Sequence, residues 1–474
     1  MTTILWLARD FRFHDNEALN RAASRGPVLP VFTLDGVVAA MGAAPRWRLE
    51  QALRTFDQAW RARTGEGVMV LHGEAADLLP DLAARIGAEA IVQNDWPWAP
   101  QQAAQQALRD ALPDGGPGLQ LFPGHLLISP RRLQQARGKA YKVHTPFARA
   151  LRAMGPDRPV APPRTITALP GTGVADLDLA PDMQRGAAVL ATHALAPGED
   201  AALRRLDDFL AQPGQYHDER DRPDLDVCSD LSEHLALGEI SPRLIWARTE
   251  MMIEASPLQA QPVAKFQSEL SWREFAWHLL LDFPAMATSS WKADWHDFPW
   301  RGDNPAAEDW RRAATGVALV DAGLRQMRVT GRMHNRVRMV VASWLTKHLL
   351  TDWRVGEAFF ADSLTDWDPA ANAMNWQWVA GCGPDAAPFF RIFNPLKQAE
   401  QHDPDGRYRS TWLGPGPLAQ AYFQAVPPSW LPGLRNLRPV SEATVKAGRE
   451  LALEALRTRK DPARQTPWDQ GQLF

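Results

Sequence analysis

Five short apolar runs, separated by stretches with helical periodicity, constrain the first 125 residues more than any other feature of the chain. The runs are ILWLA (4–8), VLPVFTL (28–34), GVMVLHG (67–73), AEAIVQ (88–93) and LQLF (119–122). Helical spacing of apolar residues is found in RWRLEQALRTFDQAWRA (46–62), EAADLLPDLAARI (74–86) and APQQAAQQALRDAL (99–112). Such alternation is typical of a parallel sheet covered by helices. We therefore predict an α/β, Rossmann-like N-terminal domain with a five-stranded parallel sheet.

The first strand is not followed by the GxGxxG pattern of a dinucleotide-binding turn. The segment ARDFRFHDNEAL stands there instead, and its Asp15 or Asn16 is suited to cap a helix. We favour a helix cap at this position.

The pattern changes in the second half of the chain. At 474 residues the chain is too long for one compact core. Residues 153–200 hold seven Pro and five Gly with weak periodicity, which is typical of a long linker. From residue 201 onwards the apolar periodicity is helical and strand signals are few. We predict an α/β domain over 1–130, an interdomain linker over 131–200 and an all-α domain over 201–474.

The composition excludes several classes of protein. The net charge is −3, so any contact with nucleic acid must use a local basic patch. Two cysteines, Cys228 and Cys382, are too few for a disulfide framework, a four-thiolate zinc site or an iron–sulfur cluster. The N-terminal apolar run is too short for a signal peptide, and no uncharged run reaches the ~20 residues of a membrane span. We expect a cytoplasmic protein with reduced thiols, no membrane association and no bound metal.

Tryptophan is the outlier of the composition. Fifteen of the 20 tryptophans lie at or after Trp246. So many indoles in one domain indicate either heavy aromatic packing or a redox or stacking role.

Two segments of the second half are suited to bind anions. In VCSDLSEHLALGEISP (227–242), Ser229 and Ser232 precede a helical run, which predicts a helix cap and also allows a phosphate site. In RQMRVTGRMHNRVRM (325–339), five Arg occur within fourteen residues. A solvated helix face is the usual explanation of such a run, and phosphate binding is the alternative.

A third segment, SELSWREFAWHL (268–279), places a carboxylate beside an indole. Glu269, Trp272, Arg273 and Ala276 fall on one helical face. The Glu269–Trp272 pair suits either a plain surface or a cavity in which the acid binds a heterocycle and the indole stacks on it.

The stretch DWDPAANAMNWQW (366–378) has the densest set of functional residue types. Asp366 and Asp368 suit a loop ahead of a helix, with Pro369 in its first turn. Paired acids are compatible with metal binding or acid–base catalysis, but no further ligand stands at a suitable spacing, and a ribose or flavin amide is an equally good partner. Asn372 and Trp376 are four residues apart and share a helical face.

Together these motifs resemble the photolyase/cryptochrome family, in particular the microbial photolyases that repair cyclobutane pyrimidine dimers. The motifs are WREF (272–275), RMHNRVRM (332–339), DWDPAAN (366–372), WQWVAG (376–381) and DAAPFFRIFNP (385–395), with weaker matches at RDFRFHDNEAL (9–19) and YKVHTPF (141–147). The resemblance implies an α/β antenna domain and an all-α C-terminal domain that holds FAD in a U shape.

The resemblance also implies roles for single residues, carried over position by position. The implied FAD contacts are Tyr216, Ser229, Leu231, Ser232, Asp366 and Asp368. Arg338 falls where the family pairs an arginine with the first of these acids, and Asn372 falls opposite the reactive flavin nitrogen. Asn at this position is typical of photolyases and favours the reduced anionic flavin.

For the substrate, the resemblance implies damaged DNA with a flipped-out pyrimidine dimer. Glu269 and Asn335 are expected to hydrogen-bond its bases, Trp272 and Trp378 to stack against them, and Met339 to pack beneath. Arg220, Arg336 and Arg391 are candidates for DNA phosphates. Trp376, Trp353 and Trp300 fall on the family's chain of three tryptophans, which passes electrons from the surface to the flavin.

The subclass of photolyase and the positions that depart from the family pattern limit what the resemblance implies. Asn335 and Met339 stand where (6-4) photolyases carry two His, which argues against that lesion. The departures from the family pattern are Cys228, Asp230, Val317, Arg332 and Trp367. NDWPWAPQQA (94–103) lacks the Glu that typically holds a folate, so the presence and identity of a second antenna chromophore stay open.

We therefore expect a light-driven repair enzyme that splits cyclobutane pyrimidine dimers by electron transfer from excited reduced FAD, and we expect it to be a monomer. A blue-light photoreceptor that signals through a protein partner is the alternative, motivated by the departures. A flavin oxidoreductase with a soluble substrate lacks a nicotinamide fingerprint.

Overall fold

The computed structural model describes residues 1–130, 132–133, 140–174, 177–385, 390–434 and 438–459. Residues 386–389 of the DAAPFFRIFNP motif lie outside these ranges, as do residues 131, 134–139 and 175–176 of the predicted linker. Within these ranges no helix is both long and apolar enough to cross a membrane. The same residues contain no group of three or more His, Cys, Asp and Glu side chains that could hold a metal ion.

Five parallel strands form one sheet in the order β3-β2-β1-β4-β5. The strands are β1 (Thr2–Trp6), β2 (Val28–Leu34), β3 (Met69–His72), β4 (Ala88–Asn94) and β5 (Gly118–Phe122). Each overlaps a predicted strand, so the predicted sheet is confirmed. In the centre, Ile4 of β1 pairs with Leu29 of β2 and with Ile91 of β4.

Helices cover both faces of this sheet. They are α1 (Glu17–Arg25), α2 (Gly36–Ala39), α3 (Ala43–Thr64), α4 (Ala75–Ile86) and α5 (Ala99–Ala111). Successive strand side chains point to opposite faces, so Ile4 and Trp6 share an apolar cluster with Leu79 of α4, whereas Leu5 shares one with Leu53 of α3. Burial on both faces explains why the strands are continuous apolar runs.

The two residues considered as caps of the first helix have different tasks. Asn16 caps α1, because its side chain accepts a hydrogen bond from the backbone N–H of Leu19 at 2.9 Å. Asp15 accepts from Arg243, whose Nη2 lies 2.8 Å from Oδ1. The predicted cap is confirmed at Asn16, while Asp15 ties the start of the chain to the helical half.

The rest of the chain is helical, as predicted. Its helices are α6 (His144–Met154), α7 (Arg185–His193), α8 (Glu199–Ala211), α9 (Pro213–Glu219), α10 (Ser232–Ala236), α11 (Pro242–Ala255), α12 (Ala260–Asp282), α13 (Pro305–Arg311), α14 (Ala318–Thr330), α15 (Asn335–Ser343), α16 (Trp353–Ser363), α17 (Pro369–Ala380), α18 (Pro395–His402), α19 (Arg407–Leu413), α20 (Pro417–Ala425), α21 (Leu431–Leu434) and α22 (Glu442–Thr458). Short 3₁₀ turns lie at Pro181–Met183, Pro257–Gln259, Pro284–Ala287, Ala293–Trp295 and Pro428–Trp430, and a π-helical turn at Trp344–His348 follows α15. Among the described residues after β5, β pairing is limited to isolated bridges.

The predicted linker contains ordered structure. Helices α6 and α7 lie within residues 131–200, and Ala168 forms a bridge with Val28 at the start of β2. Weak periodicity does not reveal α7, because only Val189 and Leu190 of this helix are buried. The segment therefore packs against the sheet, and the division of the chain at residues 130 and 200 stays a prediction.

A buried ion-pair network joins the two halves. Arg48 of α3 donates to Glu233 of α10 at 3.0 Å and to both carboxylate oxygens of Glu239, and all three side chains are fully buried. Burial raises the pKa of Glu239, but Arg48 and His234 outweigh it and lower this pKa to about 2. Removing one member of a buried pair leaves an uncompensated charge, so this network fixes how the halves dock.

Candidate functional site

The loop before α17 holds the two acids of the densest motif. Asp368 is the N-cap of α17, and its Oδ1 accepts from the backbone N–H of Ala371 at 2.9 Å, with Pro369 in the first turn. Its Oδ2 accepts from the indole N–H of Trp277 at 2.9 Å. The predicted loop and helix start are therefore confirmed, and Asp368 is held rigidly by two elements.

Asp366 pairs with Arg338, as expected, while its second oxygen stays free. Arg338 Nη2 lies 2.8 Å from Oδ2 of Asp366, and its Nε donates to the carbonyl of Met333 at 2.7 Å. Oδ1 of Asp366 is buried and has no hydrogen-bond partner among the described residues. A buried carboxylate oxygen without a partner is costly. The site therefore fits a ligand that brings a hydroxyl or amide donor to this oxygen, as the ribose or flavin amide of FAD does.

Asn372 lies one turn into α17 with a fixed side-chain orientation. Its Nδ2 donates to Oε1 of Glu357 at 2.8 Å and to the Glu357 carbonyl at 3.0 Å. Burial raises the pKa of Glu357 to about 7, although the hydrogen bond from Asn372 lowers it. Because both amide hydrogens point to Glu357, Asn372 offers its carbonyl oxygen to a ligand.

The three predicted electron-transfer tryptophans follow one another through neighbouring elements. Trp376 packs so closely on α16 that a Cβ added to Gly356 would overlap its ring. Trp353, fully buried, begins α16 one turn before that glycine. Residue 301 pairs with the backbone at 350–352, which places half-buried Trp300 beside the start of α16. Trp376 and Trp353 are both buried and Trp300 is half-buried, but no described ring pair joins two of these indoles, so their order as an electron path stays a prediction.

Three predicted residues meet between α9 and α12. Arg220 Nη1 is hydrogen-bonded to Oε1 of Glu269 and donates to the hydroxyl of Tyr216 at 3.0 Å. Arg220 is therefore an anchor for Glu269 as well as a candidate phosphate contact. Arg336 is likewise paired, with Asp221 at 2.6 Å.

Trp272 presents one ring face only. His144 of α6 stacks on the other face, with ring centroids 3.6 Å apart and planes inclined by 6°, and its Nε2 lies 3.1 Å from Ser271 Oγ. Burial, with a smaller contribution from Arg152, lowers the pKa of His144 to about 4, so the imidazole is neutral at physiological pH. A base can therefore stack on Trp272 from one side.

The other predicted substrate residues lie on α15 and α17. Exposed Asn335 and half-buried Met339 are one turn apart on α15, which packs on α17. Half-buried Trp378 lies on α17, and the guanidinium of exposed Arg391 lies 5.6 Å from its ring centre. No direct contact joins Asn335 or Met339 to the other predicted residues among the described hydrogen bonds and ring pairs.

The serine-containing loop departs from its prediction. Helix α10 begins at Ser232 with Leu231 as its N-cap, and no side chain caps it. The predicted serine cap is wrong, because Leu231 at φ −84°, ψ −1° already has helical backbone angles and leaves no extended cap position. Ser229 is linked to α8 through its carbonyl, which accepts from Nε of Arg205 at 3.1 Å.

Two of the five departures from the family pattern compensate each other. Arg332 Nη1 lies 2.5 Å from Oδ2 of Asp230, so the unusual anion and the unusual cation form an ion pair. Sequence distance hides this relationship, because 102 residues separate the partners.

Trp367, between the two acids, is explained by packing across the molecule. Its indole contacts Trp98 edge-on with ring centroids 5.5 Å apart, and the buried guanidinium of Arg9 lies 5.5 Å from its centre. Arg9 also stacks over Trp96 at 4.0 Å. The residue between the acids is therefore large because it fills the contact with the α/β half.

The remaining two departures are part of the local packing. Cys228 is a free thiol whose Sγ lies 3.8 Å from Nε2 of His334, and burial raises its pKa to about 12. Val317 is the buried N-cap of α14, and its N–H donates to Thr315 Oγ1. Neither carries an unpaired charge into the site.

Sequence reasoning missed Glu357, His144 and Arg205. Each acts through a residue that lies far away in the sequence or on another helix, so no local spacing identifies it. The only local sign is that His144 stands within the YKVHTPF match.

Comparison with known proteins covers both halves. The family model described as "DNA photolyase" matches residues 3–164, and that of the "FAD binding domain of DNA photolyase" matches residues 266–426. A deoxyribodipyrimidine photo-lyase of Agrobacterium fabrum is 41% identical over 416 residues, 85% of this chain and 85% of that protein.

Two solved structures share the whole architecture. A bacterial class III photolyase from Agrobacterium tumefaciens has a TM-score of 0.85 at 37% identity, covering 97% of this chain and 98% of that chain. A Synechocystis cryptochrome has a TM-score of 0.79 at 26% identity, covering 95% and 98%.

Proposed function

Since this chain belongs to the DNA photolyase family, we propose that it is a light-driven repair enzyme which splits cyclobutane pyrimidine dimers in DNA with FAD as its cofactor. The observation that carries the proposal is the loop 366–372 within the matched FAD-binding domain. This segment presents a buried acceptor on Asp366, which has no partner within the described part of the chain, and an oriented amide on Asn372. These are groups that bind a heterocyclic cofactor without supplying acid–base catalysis.

FAD, when bound and reduced, supplies on blue-light absorption the electron that opens the cyclobutane ring and takes it back afterwards. Asp366 and Asp368 hold the cofactor, with Arg338 fixing the first acid and Trp277 the second. The further contacts proposed for the cofactor are Tyr216, Ser229, Leu231 and Ser232. Asn372 directs its carbonyl oxygen at the flavin ring and so discriminates between the protonation states of the flavin.

The substrate residues act by stacking and orientation. Trp272 and Trp378 flank the extruded dimer, and stacking of this kind tolerates any base. The stack of His144 on Trp272 supports this role for Trp272. Glu269, anchored by Arg220, and Asn335 bind the polar edges of the bases, with Met339 beneath. Extrusion is less costly for a dimer than for intact bases, because the lesion already disturbs stacking.

Phosphate contacts and electron supply complete the proposal. Arg220, Arg336 and Arg391 contact DNA phosphates, which positions the duplex without reading its sequence. Trp376, Trp353 and Trp300 return bound FAD to its reduced state by passing electrons inwards. This supply route supports the enzyme between repair cycles and is not part of the cycle itself.

We extend the proposal to the cellular setting and to light harvesting. The protein acts in the cytoplasm, a view supported by its free thiols, Cys228 and Cys382, and it acts as a monomer. Any second chromophore belongs to the α/β half, whose match to the photolyase model supports an antenna role, and its identity stays open.

Illumination of the FAD-loaded, pre-reduced protein with dimer-containing oligonucleotide tests the proposal. We expect blue light to restore intact pyrimidines, with no repair in a dark control. A parallel titration with undamaged oligonucleotide separates the alternatives. Equal affinity for both oligonucleotides, together with no repair, would establish the photoreceptor in place of the enzyme.

A further inference from the structure

Asp230 occupies a strained position in the loop proposed to bind FAD. It lies between Ser229 and Leu231 with φ at 50°, in the left-handed region that few residues other than Gly, Asn and Asp adopt. Asp tolerates this conformation, but Ser229 and Ser232 of this loop suit the diphosphate of FAD, and the carboxylate would stand beside that anion. An unpaired anion would repel that ligand.

Two arginines neutralise this carboxylate: Arg205 of α8 and Arg332 of the segment between α14 and α15. Oδ2 of Asp230 accepts from Nη1 of Arg332 at 2.5 Å and from Nη2 of Arg205 at 3.0 Å. Arg205 also donates from Nε to the carbonyl of Ser229, so it holds the loop whether or not the carboxylate is charged. Of the three side chains, each is between 22% and 30% exposed, so solvent only partly screens their charges.

A second acid, Glu233, lies near Arg332, although the Nε of Arg332 has no hydrogen-bond partner among the described residues. Its Nε lies 3.6 Å from Oε1 of Glu233, whose other oxygen binds Arg48 and whose Oε1 accepts from Thr365. The guanidinium is thus directed at the loop by a buried acid that has its own partners. The local cluster of Arg205, Arg332 and Asp230 carries one net positive charge, which favours an anionic ligand.

We propose that Arg332 is a positioning residue for FAD that acts through Asp230. The two side chains form one unit, which gives the loop 229–232 a conformation and a charge that allow the diphosphate to bind. This inference rests on the FAD-binding part of the proposed function. It explains why the anion at 230 occurs together with a cation at 332, since the anion without that cation would disturb the cofactor site.

A four-variant comparison tests the unit. Arg332→Met leaves Asp230 with one cation, so the dissociation constant for FAD, measured in the dark by flavin fluorescence on apo protein, rises about tenfold. Asp230→Asn removes the anion and changes the constant by about threefold or less. In the double variant R332M/D230N the dissociation constant for FAD returns to within about threefold of the D230N value, because no carboxylate then needs neutralising.

Rescue by the second substitution separates this role from plain packing. If Arg332 only filled space, R332M would weaken FAD binding equally with Asp or Asn at 230. A double variant as weak as R332M, or an R332M protein that binds like the wild type, overturns the proposal. Where R332M does not fold, R332K takes its place. Its retained charge should keep the affinity for FAD within about threefold of the wild type. A larger loss of affinity that the added D230N substitution does not reverse overturns the proposal.

The control is Arg248→Met, which breaks the exposed ion pair with Asp207 and should leave FAD binding unchanged. The titration uses neither light nor DNA. A wild-type protein that binds FAD but repairs nothing contradicts the proposed function alone. A wild-type protein that repairs dimers while the double variant shows no rescue contradicts the Arg332–Asp230 unit alone.

Discussion

The side-chain amide of Asn372 donates both of its hydrogens to one residue, Glu357, at 2.8 Å to the carboxylate and 3.0 Å to the backbone carbonyl. This pair of hydrogen bonds determines which end of the amide faces the cofactor. The carboxylate is buried, and its pKa is raised to about 7. The proposed control of the flavin therefore depends on a group that titrates near physiological pH.

Replacing Glu357 by Gln should remove this pH dependence. The side-chain oxygen of the introduced glutamine still accepts from Asn372, but the amide does not titrate. In the wild type, the absorption spectrum of bound FAD should change with a midpoint at a pH of about 7, and in E357Q it should stay constant across that range. Identical titration curves for the two proteins would contradict the assignment.

The same substitution has a stability consequence with a defined sign. The folded-state pKa of Glu357 lies above the unfolded value, so folding holds this proton more tightly. Its contribution to stability is present below the unfolded pKa and is lost as pH rises to about 7. The melting temperature of E357Q relative to the wild type should therefore be higher at a pH of about 8 than at a pH of about 5, as thermal scans at the two pH values can measure.

Replacing Trp353 by Phe should slow photoreduction of bound oxidised FAD by about tenfold or more, because the remaining indoles are then separated by a ring that is difficult to oxidise. Repair by enzyme reduced beforehand should be unaffected. Trp60→Phe is the matched control, since Trp60 is also fully buried and its indole N–H, like that of Trp353, lacks a partner among the described residues. Equal photoreduction rates in W353F and W60F would show that Trp353 is not part of the electron-transfer path.

Replacing Asp366 by Asn should release FAD. The change removes the charged partner of Arg338 and puts an amide where a ligand needs an acceptor, which should weaken FAD binding about ten- to a hundredfold. The flavin-to-protein absorbance ratio after gel filtration measures the loss. Asp207→Asn, an exposed acid in an ion pair with Arg248, should retain the cofactor; full flavin content in D366N would count against the proposed site.

Replacing His144 should affect discrimination rather than DNA binding in general. Trp272→Ala removes a stacking platform worth about 1–3 kcal/mol per base, and His144→Ala removes its support and should cost a smaller part of the same energy. His144→Phe retains a flat ring and should bind dimer-containing DNA nearly as well as the wild type. Undamaged DNA is the control for all three variants, and an equal loss for both DNAs in H144A would argue for general misfolding.

Replacing Arg391 by Met should weaken damaged and undamaged DNA alike. A lost phosphate contact reduces the slope of log affinity against log salt by about 0.9. Arg391 lies over Trp378, so dimer repair per bound complex is the necessary second measurement and should stay unchanged. A selective loss of affinity for dimers would instead assign Arg391 to the lesion.

The fold was predictable where burial creates a periodic pattern. Strands β2 and β4 match their predicted runs closely, because strands buried on both faces are unbroken apolar segments. Helix α7 was not predictable, since two buried residues do not form a pattern. The serine cap failed because cap residues identify a helix start only when the backbone before it is extended, and at Leu231 it is already helical.

The site was predictable only as far as motifs extend along the chain. Asp366, Asp368 and Asn372 stand in one segment and were identified together. The residues that orient them or their neighbours come from other segments, such as Glu357 from α16 and Arg332 from the turn between α14 and α15. Those contacts arise from tertiary packing, which leaves no trace in local spacing.

The contact between Trp367 and Trp98 joins the loop of the two acids to the α/β half. Because Trp367 stands between Asp366 and Asp368, any shift of this loop also disturbs that contact. The buried network around Arg48 connects the halves at a second place. A substitution at Trp98 or Arg48 would therefore act on the candidate site from a distance, although neither residue touches the two acids.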